Sequence, residues 1–158
     1  METQNYLQIM IDSLEKKKTV LQDIVDYNIE QERILTQQEF DGDVFQKNME
    51  DKAECIDKLN TLDEGFQSIY DRVREDVQMY KLNYKDDIRR LQELIKEVSA
   101  LSASIQAQES RNKLQIERRF RKLREETKTA KRSVSMANKY YQNMNRLSSE
   151  PQFMDKKK

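Results

Sequence analysis

The stretch that decides the fold is Tyr84–Met144, YKDDIRRLQELIKEVSALSASIQAQESRNKLQIERRFRKLREETKTAKRSVSMANKYYQNM. Residues separated alternately by four and three positions, with one extra step of four from Ile116 to Phe120, form one stripe along it, which is the spacing of a coiled-coil or long bundle helix. No proline or glycine interrupts the stretch, so it predicts a rod of roughly 90 Å at 1.5 Å per residue. The stripe, called the seam below, comprises Tyr84, Ile88, Leu91, Ile95, Val98, Ser102, Ile105, Glu109, Asn112, Ile116, Phe120, Leu123, Thr127, Ala130, Val134, Ala137, Tyr141 and Met144.

The seam changes character at Ile105. Before this residue it is mostly large and aliphatic, whereas polar and small residues such as Glu109, Asn112 and Thr127 enter it afterwards. The first part is typical of a helix that packs within its own molecule. We therefore expect residues 1–105 to fold without the remainder of the chain.

Composition favours long solvated helices in one modest domain. The 158 residues include two glycines and one proline, 37% are charged, and the mean hydropathy is −1.02. Such values fit either helices or disorder, and the regular apolar stripes decide for helices. Net charge is zero, but residues 1–65 hold 16 acids and 7 bases while residues 110–158 hold 5 acids and 15 bases. This asymmetry favours attraction between antiparallel segments, or an acidic partner for the C-terminal part.

The remaining chain supplies two more helices and a tail. Apolar spacing predicts helices over residues 3–37, 43–80 and 84–145, in a single domain covering 1–146, followed by a flexible tail at 147–158. Asp41 or Asp43 fits an N-cap of the second helix, and Asn83 fits an N-cap of the third. Gly65 lies inside the second helix and marks a candidate kink.

The predicted lengths do not match. The first two helices span about 55 Å each, so they cover only part of the third. The region from about Ile116 onward must hang free, fold back or dock on another chain. The expected fold is all-α: an antiparallel bundle of three long helices with a projecting C-terminal segment.

The uncovered part of the seam is the candidate binding surface. Its apolar side chains are unfavourable in water, which favours a partner helix laid along them. The alternative is a homodimer that buries the same residues. The candidate partner-binding residues are Ile116, Phe120, Leu123, Val134, Tyr141 and Met144.

The sequence offers little for catalysis, and no catalytic, cofactor or metal site is predicted. The chain has no histidine, and its only glycines are Gly42 and Gly65, so a glycine-rich phosphate loop is absent. The acidic pairs Asp41/Asp43 and Asp86/Asp87 fit helix starts better than a cation site. Cys55 is expected to be a small buried hydrophobe, and a single cysteine fits a reducing, cytoplasmic setting.

A basic run extends from Arg118 to Arg124. Acidic residues interrupt it, so we predict no nucleic-acid binding and instead assign it to a solvated face or to partner steering. The sequence contains no transmembrane run, and membrane contact is expected only through a partner. The candidate steering residues are Arg118, Arg121 and Arg124.

Several short strings carry a family resemblance. Asp51–Leu59 (DKAECIDKL) in the second helix and Ser104–Lys113 (SIQAQESRNK) in the third resemble the FlgN-type flagellar export chaperones. Leu62–Phe66 (LDEGF) and Pro151–Asp155 (PQFMD) are similar to the version found in clostridial relatives. The similarity covers nearly the whole chain.

The resemblance implies a cytoplasmic chaperone of the flagellar type III export system. Such proteins hold hook-associated subunits of the hook–filament junction unpolymerised and bring them to the export gate, with the C-terminal part of the third helix as the cargo side. Asn112 matches an asparagine common in the third helix of the family and joins the candidate cargo-binding residues. The alternatives are a chaperone of the filament cap protein, which shares the architecture, and a structural coiled-coil homodimer.

Overall fold

The computed structural model describes residues 2–124 and 128–145, with the side chains of 128–131 left aside. Helix α1 covers Glu2–Thr36, α2 covers Gly42–Met79, α3 covers Lys85–Leu123 and α4 covers Lys128–Asn145. A short 3-10 helix, Lys81–Tyr84, joins α2 to α3, and no strand occurs in the described ranges. The predicted all-α bundle of three long helices is confirmed. The predicted tail at 147–158 and the seam position Thr127 lie outside the described residues.

The two helices that follow the interhelical connections, α2 and α3, have different N-cap residues. The Asp41 side chain accepts hydrogen bonds from the backbone N–H groups of Asp43 and Val44 at 3.1 and 3.2 Å, so of the two predicted candidates Asp41 is the N-cap of α2. The break before α3 lies where it was predicted, but Asn83 does not cap α3. Tyr84 occupies the N-cap position, and its hydroxyl donates to Asp76 Oδ2 at 3.0 Å.

The three long helices have matched lengths. They contain 35, 38 and 39 residues, which correspond to about 52 to 58 Å each. The predicted length mismatch is therefore corrected: it arose because α3 ends at Leu123 and not near residue 145. Helix α2 runs through Gly65 without interruption.

The core consists of two hydrophobic clusters, one towards each end of the bundle. Near the α2–α3 connection it contains Leu7, Phe66 and Leu91, and towards the α1–α2 turn it contains Ile56 and Phe120. The expectation that dense packing stops at Ile105 is thus wrong, because later residues of α3, Ile116 and Phe120, are buried in the same cluster as residues of α1 and α2.

Helix α4 folds back onto the bundle, in contrast to the predicted projecting segment. The chain reverses after Leu123, and α4 then runs along α2 and touches α3. Its buried residues are Ser133, Ala137 and Tyr140. Folding back removes the second half of the seam from water within one chain, which is the physical reason for the difference. Among the described helices, none carries an apolar stretch long enough to cross a membrane.

Candidate partner-binding site

Two of the predicted binding residues on α3, Ile116 and Phe120, lie in the hydrophobic core. Phe120 is 1% exposed and lies against two other aromatic rings, those of Phe40 in the α1–α2 turn and Phe45 in the first turns of α2. The ring centroids of Phe120 are 5.7 Å from Phe40 and 5.1 Å from Phe45, both in edge-to-face geometry. Such pairs add to the stabilisation that comes from burial alone. Phe120 is therefore part of the core in this structure.

The other predicted binding residues divide into two groups by burial. Asn112 and Ile116 are buried on α3, whereas Leu123 at its end is half-buried. On α4 the half-buried residues are Val134, Tyr141 and Met144, and they pack against the same core as α3. The expectation that these residues form one surface exposed in the free protein is corrected, because the two halves of the seam face each other.

A buried charged centre lies where α2, α3 and α4 meet. The Lys52 ammonium is 3.0 Å from Glu109 Oε1, and the Tyr140 hydroxyl donates to Glu109 Oε2 at 2.5 Å. The Lys52 nitrogen also lies 4.2 Å from the centroid of the Tyr140 ring. Lys52 is fully buried, and burial lowers its pKa although Glu109 opposes this change. Burial, together with the charge of Glu109, holds the pKa of the Tyr140 phenol well above its usual value, so the phenol stays a hydrogen-bond donor at neutral pH.

Amides connect this centre to α1. Gln31 Oε1 accepts from Lys52 Nζ and from Asn112 Nδ2, both at 3.2 Å, and Gln31 Nε2 donates to Asn48 Oδ1 at 2.9 Å. Asn112 also donates to the backbone carbonyl of Asn28 at 3.0 Å. Asn112 therefore links α3 to α1. Its amide nitrogen donates to groups of α1 and not of α4. These buried, mutually bonded residues are called the polar centre below: Gln31, Asn48, Lys52, Glu109, Asn112 and Tyr140.

Sequence reasoning missed Lys52 and Tyr140 and treated Glu109 as an interruption of the seam. A signal was present in the register, because Lys52 lies three residues after Met49 and four before Ile56 on the buried face of α2. A polar residue at a buried helical position needs partners. Here they come from residues as far as 57 positions away in sequence, which no local pattern identifies.

The predicted steering arginines lie outside the core. Arg118, Arg121 and Arg124 are all exposed on the last turns of α3 and at its end. Their neighbour Arg119 has a structural contact: it donates to the carbonyl of Gln38 at 3.0 Å and lies over the Phe40 ring. The exposed arginines are therefore free of the packing that holds Phe120.

The Cys55 thiol and the acidic side chains considered in the sequence analysis show no sign of a chemical role in the described residues. Burial raises the pKa of the Cys55 thiol to about 11, so very little thiolate forms near neutral pH. Asp41 caps α2, and no group of acidic or cysteine side chains that could hold a metal ion occurs in residues 2–124 and 128–145. The arrangement within the described residues is one in which α4 lies along α2 and α3.

Comparison with known proteins gives one family. A family model described as "FlgN protein" matches residues 1–148 of the chain. Searches of curated proteins and of solved structures found no match.

Proposed function

The chain belongs to the FlgN family of flagellar export chaperones, and we propose that it binds hook-associated subunits in the cytoplasm, keeps them from polymerising and delivers them to the export gate. The family supports the general role, and the groove under α4 supports a mechanism. An amphipathic cargo helix takes the place of α4 and buries its apolar face against α2 and α3.

The observation that supports this proposal is that α4 is short and buries few large apolar side chains against the rest of the bundle. Helix α4 has 18 residues, about half the length of each other long helix. Among the described side chains of α4, from residue 132 onward, Ser133, Ala137 and Tyr140 are buried, and two of these are small. The larger residues Val134, Met136, Tyr141 and Met144 are only half-buried. A helix that buries so little large apolar surface is released more easily than α1, α2 or α3.

Release of α4 would affect the candidate cargo-binding residues in two ways. Ile116 and Phe120 stay in the core and support the groove from beneath, whereas half-buried Leu123 at the end of α3 becomes a contact for the incoming helix. Val134, Tyr141 and Met144 leave with α4, whose apolar face then becomes available to the same cargo. Asn112 contributes by holding the groove in shape through its bonds to α1.

The exposed arginines give the encounter its charge dependence. Arg118, Arg121 and Arg124 lie beside the entrance of the groove at the end of α3. An acidic segment of the cargo is attracted to them over a distance of about one Debye length, roughly 8 Å at physiological salt. They steer association and contribute little to the stability of the folded chain.

The test is a titration of the purified full-length chain with hook-associated subunits from the same cells. We expect micromolar or tighter binding by calorimetry, and suppression of subunit polymerisation measured by light scattering. Absence of binding to these subunits, with binding to the filament cap protein instead, would support the alternative cargo class. A stable elongated dimer that binds neither would support the structural coiled-coil alternative.

Burial within one chain weakens the homodimer alternative. The dimer was considered because Ile116 and Phe120 needed cover, and both are covered by the chain's own α1–α2 turn and α2. Size-exclusion chromatography with light scattering on the same sample measures the mass directly.

A further inference from the structure

A cavity of about 360 Å³ lies beside the last turn of α4. Tyr141, Met144 and Asn145 line it on the α4 side, and Asn145 is the last residue of that helix. A cavity of about 150 Å³ is enough to hold a benzene molecule. The cavity beside α4 therefore has room for at least one large apolar side chain.

The floor of the cavity is apolar and is built by all three long helices. It consists of core side chains: Leu21, Ile24, Ile56, Leu59 and Ile105. On α3 the cavity also reaches Ser102, which stands in the seam between the buried residues Val98 and Ile105. Because serine is much smaller than these two neighbours, the three helices leave space at this level for a side chain from another part of the chain.

The polar centre defines how far along the bundle this space lies. Tyr140 of α4 contacts Lys52 of α2 and Glu109 of α3. Leu59 follows Lys52 by seven positions, and Ser102 precedes Glu109 by seven positions; both line the cavity. Seven residues are two helical turns, so the cavity lies about 10 Å from the polar centre along the helices.

Leu147 is the residue that a continuation of α4 would bring to this level. Helix α4 points towards the cavity, because its last residues line it. Leu147 follows Tyr140 by seven positions and Met144 by three. A helix continued by two residues beyond Asn145 therefore carries Leu147 on the face that packs against the bundle. The two residues concerned, arginine and leucine, are both good helix formers.

We propose that the chain's own continuation, residues 146–158, occupies this cavity, with Leu147 as the side chain that fills it, and that this contact straps α4 to the three long helices. A link of only two residues from Asn145 gives Leu147 an effective concentration in the millimolar range or above. A separate molecule has no such advantage. Charge adds to the attraction, because residues 146–158 hold four bases and two acids, whereas residues 1–65 hold 16 acids and 7 bases.

The strap determines how often α4 leaves the bundle. Helix α4 is short, and few of its large apolar side chains are buried, so one additional buried leucine changes its attachment strongly. Burial of one such side chain shifts an equilibrium by about ten- to hundredfold. The contact belongs to the free protein and does not depend on the proposed function. A cargo helix that takes the place of α4 would also have to displace Leu147.

Tryptophan fluorescence tests the occupancy on the full-length chain, which has no tryptophan of its own. For the Leu147→Trp variant we expect emission at shorter wavelength than in urea, and weak quenching by acrylamide. Ser149→Trp is the matched control, because two positions along a continued helix lead to the opposite face. Its emission and quenching should resemble those of the unfolded chain.

A second pair of variants locates the tryptophan in the cavity. Ser102 lines the cavity and is half-buried, whereas Ser104 is exposed on the same helix. Ser102→Leu fills the space with a side chain of α3, so it should return the emission of Leu147→Trp to that of the control. Ser104→Leu should leave the emission unchanged, and circular dichroism checks that each variant is folded.

Hydrogen exchange of the α4 amides tests the strap. Leu147→Ala should accelerate exchange in residues 137–141 by about tenfold, because the buried leucine no longer opposes release of α4. Exchange in α1 should stay unchanged, since only α4 is released. Ser149→Ala is the control and should alter neither rate.

Each part of the proposal has a result that overturns it. Equal emission and quenching of Leu147→Trp and Ser149→Trp would place Leu147 outside the cavity, and so would emission of Leu147→Trp that Ser102→Leu does not change. A shifted emission that disappears on dilution would identify a second copy of the chain as the source of the contact. Faster exchange in α1 as well as α4, or in neither, would show that Leu147 does not strap α4. These measurements use no cargo, so they stand or fall independently of the proposed function.

Discussion

Replacing Tyr140 by phenylalanine removes a single oxygen from the contact between α4 and the rest of the bundle. That oxygen donates a hydrogen bond to Glu109 Oε2, and both groups are buried. The aromatic ring remains, so the contact of Lys52 with the ring is kept. The change therefore isolates one hydrogen bond to a charged acceptor.

The expected effect follows from the state in which Glu109 is left. Lys52 still pairs with Oε1, so the carboxylate keeps its counter-ion. Oε2, however, becomes a buried acceptor without its donor, and hydrogen bonds to charged groups are worth about 1.5–3 kcal/mol. We expect Tyr140→Phe to lower the free energy of unfolding by about 2 kcal/mol. In a chain of this size that corresponds to a fall of about 4–8 °C in the melting temperature.

The assay is urea unfolding followed by circular dichroism, with Tyr141→Phe as the matched control. Tyr141 is the next residue on α4, and its hydroxyl makes no hydrogen bond of good geometry within the described residues, although burial and the nearby Glu109 carboxylate raise its pKa. Its removal should change the free energy of unfolding by less than about 0.5 kcal/mol. Equal effects of the two substitutions would refute the reasoning, because they would show that the bond between Tyr140 and Glu109 does not hold α4.

Four further predictions concern packing, helix propensity, charge and ionisation. Phe120→Ala should lower the free energy of unfolding by about 3–5 kcal/mol in a urea titration, since the ring is fully buried; a loss below about 1 kcal/mol would place it outside the core. Gly65→Ala should raise that free energy by about 0.5–1 kcal/mol, because a Cβ at this exposed helical position meets nothing within 4 Å; a decrease would indicate strain in α2. Iodoacetamide at pH 8 should modify Cys55 at least about a hundredfold more slowly in the native chain than in urea, because its pKa is raised to about 11 from 9.0. The folded chain keeps the thiol proton longer than the unfolded chain, so the contribution of this thiol to stability is present below about pH 9 and is lost as the pH rises through 11; rapid native alkylation would contradict this. Reversal of the exposed Arg118, Arg121 and Arg124 to glutamate should shift the melting temperature by no more than about 2 °C. It should slow cargo association in stopped flow, most strongly at low salt. A large loss of stability would place these arginines in intramolecular bridges.

The polar residues within the apolar stripes show the limit of what local sequence patterns predict about buried contacts. Lys17 and Asn28 interrupt the apolar face of α1 in the sequence, and both are buried in the structure. Lys17 pairs with Asp63 of α2, and Asn28 donates to Gln108 of α3 at 3.1 Å. A pattern of apolar residues marks such positions as breaks, because it holds no information on which distant side chain satisfies them.

Local sequence patterns also did not predict where α3 ends. Residues 124–144 contain no glycine or proline, and the seam keeps its spacing from Leu123 to Val134 and beyond. A sequence that continues both its helix formers and its stripe predicts one long rod. The chain instead ends α3 at Leu123 and returns as α4, because the return covers the second half of the stripe with its own core.

The sequence by itself determined the helical class, the number of long helices, an aspartate cap at residue 41 or 43 and the family resemblance. Each of these depends on residues within a few turns of one another, and helix periodicity and capping are local effects. Only the tertiary structure decided that Phe120 is core, that α4 folds back, and that Lys52, Glu109 and Tyr140 meet. These contacts join residues between 31 and 88 positions apart. Their formation depends on how whole helices pack and exclude water, which no single stretch of the chain specifies.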